Sequence, residues 1–175
     1  MFSVWCEQHP RRISMSSNDY LQKIAQAVQI RPFQARDQDS VKMLILVGLK
    51  EHWGTLDTSL NPDLNDVAAA YGTETFLVAV QNGRIVGTGA LIHEVDDISR
   101  IVRMSVDPKL RRMGIGRQLL AALCDAAKKR SYRQIVLETT SNWDDAIRFY
   151  LAHGFQIVEH RDGDTHFLLN LERRD

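Results

Sequence analysis

Two apolar runs, "ISRIVRMSV" (residues 98–106) and "QIVLET" (residues 134–139), are separated by a basic glycine loop and one long amphipathic stretch. In that stretch Ile115, Leu119, Leu120, Leu123 and Ala127 recur at helical spacing and form one apolar stripe. From Val106 to Ile135 there are 28 intervening residues, too many for a hairpin and suited to a helix-bearing crossover between parallel strands. Such crossovers are right-handed almost without exception. This segment therefore dictates a parallel strand pair with a helix on one face. "QIVLET" is a continuous apolar run, as expected of a strand covered on both faces.

The flanking segments make the sheet mixed. "TFLVAV" and "RIVGTGALIHEV" flank Asn82-Gly83, a strong type I′ hairpin signal. "FQIVEH" and "THFLLNL" flank "RDGD", a second hairpin. Residues 28–33 (VQIRPF) read as a short strand, and Pro32 puts it at a sheet edge. After Asp37 or Asp39 as N-cap, Val41, Leu44, Ile45, Gly48 and Leu49 repeat helically until Trp53-Gly54. "PDLNDVAAAY" starts a second, short helix with Pro62 in its first turn. "WDDAIRFYLAH" is a helix with Ala146, Ile147, Tyr150 and Leu151 on one side, closed by Gly154. The expected order is β-α-α-β-β-β-α-β-α-β-β, an α/β chain of α+β type with a mixed sheet. Residues 1–26 are polar and irregular and read as an N-terminal extension, with a single domain over residues 27–175.

Charge narrows the functional classes. The 175 residues carry 22 Lys+Arg against 22 Asp+Glu, which argues against a broad nucleic-acid-binding or membrane-binding face. No run is apolar enough to span a membrane, and the first 20 residues lack the apolar core of a signal peptide. The two cysteines, Cys6 and Cys124, form no paired motif, so a reducing cytoplasm is the expected location. His153, His160 and His166 share no metal-ligand spacing, and no metal is expected.

The basic loop "KLRRMGIGRQ" (residues 109–118) fits neither common nucleotide motif. After Gly114 and Gly116 a dinucleotide fingerprint needs a small residue where Leu119 stands. No G-x-x-x-x-G-K-[ST] exists either. What remains is R-x-x-G-x-G at a strand–helix junction: Arg111, Gly114, Gly116. Glycines there let successive N–H groups turn towards one point, and the helix start adds its dipole. Arg111, Arg112 and Arg117 add side-chain charge. The arrangement suits a pyrophosphate; the alternative is a solvated basic turn.

"RMSVDPKLRRMGIGRQLL" resembles the acetyl-coenzyme A motif of the GNAT superfamily of N-acetyltransferases, and "LETTSNWDDAIRFYLAHGF" resembles that superfamily's second block. The resemblance covers about residues 28–171, essentially the whole domain. It implies a GNAT fold whose central parallel strands splay apart, and acetyl-coenzyme A as co-substrate. By the same resemblance Met104, Ser105 and Val106 would flank the pantetheine arm. The segment Arg111, Arg112, Met113, Gly114, Ile115, Gly116 and Arg117 would hold the pyrophosphate. Asn142 and Tyr150 would face the cofactor, with Ala146 and Phe149 near the arm or simply in the core.

The implied activity is acetyl transfer to a primary amine by direct attack in a ternary complex. Tyr150 is the expected proton donor to the leaving thiolate; its alternative is a core tyrosine. A backbone N–H near residues 104–106 is the expected oxyanion donor. Glu138 and Glu94 are the candidate bases, with His93 and His52 behind them. An acetyl-cysteine route through Cys124 is disfavoured by its mid-helix position. Family likeness puts the acceptor wall at about residues 48–71, where Glu51, Asp57, Asp63 and Asp66 face only Lys50. That acidity would attract a cationic amine or merely solvate a helix face. The acceptor is a small molecule or a peptide amine, not nucleic acid, and a homodimer is possible. Two other readings stay open: a coenzyme A-binding sensor without turnover, and an acyltransferase acting on a protein.

Overall fold

The computed structural model describes residues 27–172; the expected extension, with Cys6, lies outside them. The described chain runs β1 (Gln29–Pro32), α1 (Gln38–Trp53), α2 (Val67–Tyr71), β2 (Thr75–Gln81), β3 (Arg84–Val95), β4 (Ile98–Val106), α3 (Ile115–Lys129), β5 (Gln134–Thr140), α4 (Asp144–Ala152), β6 (Gln156–Arg161) and β7 (Asp164–Asn170). The strands form one sheet in the order β1-β2-β3-β4-β5-β7-β6. β4 and β5 pair in parallel, and every other neighbouring pair is antiparallel.

Turn chemistry sets the hairpins. Asn82 (φ 50°) and Gly83 (φ 75°) are both left-handed, as a type I′ turn requires, and Asp162 (φ 54°) and Gly163 (φ 87°) repeat the arrangement. A third reversal, between β3 and β4, uses Asp96 at φ 48°. Gly154 closes α4 at φ 87°.

Two cores sandwich the sheet. The whole α3 stripe is buried against Leu91, Ile101, Ile135, Leu137, Tyr150 and Phe167. Each fully buried leucine there contributes roughly 1.5–3 kcal/mol. On the other side Val41 and Ile45 of α1 join Leu64, Val67, Phe76, Val78 and Ala90.

Three local expectations need correction. Asp37 occupies the N-cap position of α1, but its carboxylate does not cap the helix. Arg31 grips it instead through two bonds of 2.6 and 2.9 Å, and the Gln34 N–H donates to it at 2.8 Å. The second helix is broken: a 3-10 turn over Pro62–Asn65 ends at Asp66, whose extended backbone (φ −148°) restarts the chain as α2. The β5 run is covered on one face only: Ile135 and Leu137 are buried, whereas Val136 is half-buried and Glu138 is exposed. The open face lies beside the gap described next.

Candidate active site

β4 and β5 pair only at Ile98–Gln134, Ser99–Ile135 and Arg100–Val136. Beyond Arg100 the strands diverge, although β4 runs to Val106 and β5 to Thr140. β4 also bulges. Thr88 pairs with Ser105 and Ala90 with Val102, so Arg103 and Met104 together oppose Gly89. A Cβ on Gly89 would stand 2.6 Å from the Met104 sulfur and 2.9 Å from Leu123 Cδ1, so a larger residue opposite the bulge would displace those side chains. Arg103 adopts φ 56°. A left-handed non-glycine residue costs about 1–3 kcal/mol and persists only where its surroundings fix it.

Those surroundings are visible. The buried Thr88 hydroxyl donates to the Arg103 carbonyl at 2.8 Å. The Arg103 guanidinium donates to both Asp63 oxygens (2.9 and 2.5 Å) and to Asn61 Oδ1 (2.8 Å). Tyr71 donates its hydroxyl to Asp63 at 2.6 Å. Burial, then the bond to Asp63, pushes the Tyr71 phenol up to about 12.

The basic loop follows β4. Arg112 (φ 67°) and Gly114 (φ 82°) are both left-handed. The first bond of α3 runs from the Gln118 N–H to the Gly114 carbonyl, 3.1 Å. The N–H groups of Ile115, Gly116 and Arg117 precede it, as at any helix start. A Cβ on Gly116 would lie 3.5 Å from the Phe149 ring and 3.7 Å from Val106, so α3, α4 and the end of β4 converge here. The Arg117 guanidinium lies 3.8 Å from the place a Gly114 Cβ would take. Asp145 of α4 is held below the usual carboxylate range chiefly by Arg148, and Arg112 and Arg111 add to the effect across the gap. Clustered guanidinium groups and a glycine-opened helix start fit a diphosphate. Arg111 is meanwhile held by Glu51 of α1 through two bonds of 3.0 and 2.6 Å.

The last turns of α1 cross the gap. A Cβ on Gly48 would touch Ser105 Oγ of β4 at 3.0 Å. One turn on, His52 Nε2 meets Thr140 Oγ1 at the end of β5, 3.0 Å away. The His52 ring stacks on Trp143 at 4.1 Å and 7°. Trp143 immediately precedes α4 and follows the exposed Asn142.

Tyr150 is buried among the Phe149, Phe155 and Phe167 rings. Burial raises its phenol well above the ordinary value. It therefore stays protonated, and its hydroxyl bonds to no described residue.

The two candidate carboxylates converge on Arg100, which bonds Glu94 at 2.8 and 2.7 Å and also binds Glu138. The Arg100 bond, then its charge, holds the Glu94 carboxyl below the usual range against the opposing cost of burial. Glu94, on β3, also sits beside the paired start of β4, at the far end of that strand from Ser105 and Val106. Glu138 lies nearer the mouth of the gap, 3.7 Å from His166 Nδ1. His93 faces Tyr132 at 3.4 Å. Burial pushes the half-buried Cys124 thiol up, which suits packing rather than attack.

The acidic wall is largely engaged. Glu51 pairs with Arg111 and Asp63 with Arg103. Asp57 accepts from Ser59, and Asp66 from the Ala69 N–H. The Arg103–Asp63 and Arg111–Glu51 pairs join elements about 40 and 60 residues apart, and no local motif announces them.

The acetyltransferase (GNAT) family profile matches residues 45–155. An N-acetylaspartate synthetase of Xenopus tropicalis is 33% identical over 141 residues, 72% of this chain and 52% of that protein. The chain thus spans about half the length of that relative. An acetyltransferase of the GNAT family from Staphylococcus aureus Mu50 superposes with a TM-score of 0.78 at 25% identity, covering 83% of this chain and 100% of that one. The PaiA N-acetyltransferase of Thermoplasma acidophilum, solved with coenzyme A, has a TM-score of 0.73 at 15% identity over 82% of this chain and 99% of its own.

Proposed function

Because the chain belongs to the GNAT acetyltransferase family and is an acyltransferase, we propose that it transfers acetyl from acetyl-coenzyme A to a primary amine by direct attack in a ternary complex. The observation that carries this reading is the unpaired mouth between β4 and β5, which ends at the Gly114 loop. Backbone groups of residues 104–106 take the pantetheine arm there as an added strand would. N–H groups of residues 113–117, with Arg111, Arg112 and Arg117, hold the diphosphate. In this reading Asn142, exposed just before Trp143, faces the cofactor. Acetyl-coenzyme A supplies the activated thioester.

The chain's own groups do the rest. A backbone N–H of the bulged segment donates to the oxygen that gains charge. Tyr150 gives its proton to the departing sulfur; because burial raises its phenol, the transfer depends on close, oriented contact with that sulfur and not on acidity. Glu138, near the mouth, takes the amine proton directly or through water; Glu94, on β3 beside the paired start of β4, lies farther from the mouth.

An acetyl-coenzyme A assay over an amine panel tests the reading, scored by thiol release and product mass. Aspartate belongs in that panel because several relatives are named for its acetylation, beside polyamines, lysine and peptide N-termini. Thiol release with any amine above the no-amine rate supports transferase activity. Tight coenzyme A binding with no turnover on any amine would favour a sensor instead.

A further inference from the structure

We propose that Arg103 is the positioning residue that couples the cofactor strand to the acceptor wall; this rests on the transferase reading above. Its position is unusual at both levels. Its backbone supplies the left-handed turn of the β4 bulge, at φ 56°. Its side chain leaves the strand and bonds Asp63 and Asn61, in the segment between α1 and α2. Tyr71, the last residue of α2, joins the same carboxylate.

The physical consequence follows from strand geometry. A bulge shifts every later side chain by one position relative to the neighbouring strand. Relaxation of Arg103 to an extended φ would remove the extra residue and turn Met104, Ser105 and Val106 to opposite faces. The fork on Asp63 opposes that relaxation, because a planar guanidinium meets a carboxylate in one orientation. The same bonds hold residues 61–71 at a fixed distance from β4. Whatever stiffens the bulge thus stiffens the wall, and the wall in turn holds the bulge.

Hydrogen exchange with peptide resolution tests this on the full chain, with coenzyme A as the probe. In the unaltered protein, saturating coenzyme A is expected to slow exchange in residues 111–117 and also in residues 58–71, by about tenfold in each. In R103G the backbone tolerates φ 56° freely and only the fork is lost. Protection of residues 111–117 then persists, while that of residues 58–71 falls to near the free-protein level. Millimolar guanidinium restores it, which a merely weakened fold would not show. D63N gives the same uncoupling and stands in should R103G fail to fold. Equal protection of residues 58–71 in both variants, or none in the unaltered protein, overturns the coupling while leaving the transferase reading intact. No protection of residues 111–117 in the unaltered protein overturns both.

Discussion

At the scale of single residues, Gly114 and Tyr150 carry separable functions. Gly114 sits at φ 82°, where a β-branched residue is strained by about 1–3 kcal/mol. Gly114→Val relieves that strain by turning the loop, which swings the N–H groups of residues 115–117 off their common point. Coenzyme A affinity is expected to fall about tenfold or more, read by calorimetry. An unchanged affinity would remove the loop from the binding site. Tyr150 tests a different step. Its hydroxyl bonds to no described residue, so Tyr150→Phe removes a proton donor without orphaning a partner. Turnover should fall about 10²-fold while coenzyme A affinity hardly moves. If turnover is unaffected, Tyr150 is a core residue and nothing more.

At the scale of elements, the Arg31–Asp37 pair ties β1 to the start of α1. Asp37 is buried and its pKa is lowered, first by the Arg31 hydrogen bond, against the opposing cost of burial. A carboxylate with a depressed folded pKa contributes stability that is present above its unfolded pKa of about 3.9 and is lost as pH falls through the folded value. Asp37→Asn should cost about 2 kcal/mol near pH 7. The gap between the two proteins should close below about pH 4 in denaturant titrations. A gap that stays constant with pH would show that charge plays no part. The same residue marks where sequence patterns stop being informative. Helix periodicity, the Asn82-Gly83 and Asp162-Gly163 turns and the closing Gly154 are local signals, each fixed by a few neighbouring residues, and the elements they imply are present. Asp37 looked like a cap because the competing partner, Arg31, precedes the helix and is brought round by the turn at residues 34–36. The R-x-x-G-x-G loop was legible for the same local reason. The Arg103–Asp63 fork was not, because it needs two segments 40 residues apart to meet, and a left-handed arginine within a strand has no signature of its own.

At the scale of the whole molecule, the sheet is two half-sheets joined by three residue pairs. β1 to β4 form one and β5, β7 and β6 the other, with α3 crossing between them and His52 of α1 reaching Thr140. Under the proposed placement the pantetheine arm completes the missing ladder, so ligand binding mends the weakest seam of the fold. Stabilisation by mass action alone cannot prove this. At 100 times its Kd any ligand adds about 2.7 kcal/mol, which for a domain of this size is a Tm rise of about 5–10 °C. Adenosine diphosphate, which has the diphosphate but no pantetheine arm, gives the same rise at the same multiple of its own Kd. Local exchange separates the two ligands. Coenzyme A should slow the amides of residues 101–106 and 137–140 that face the gap, because they acquire acceptors. Adenosine diphosphate should leave those amides fast and protect only the loop at residues 111–117. Equal protection of the mouth by both would mean that the loop alone closes the seam, and the arm would then have to lie elsewhere.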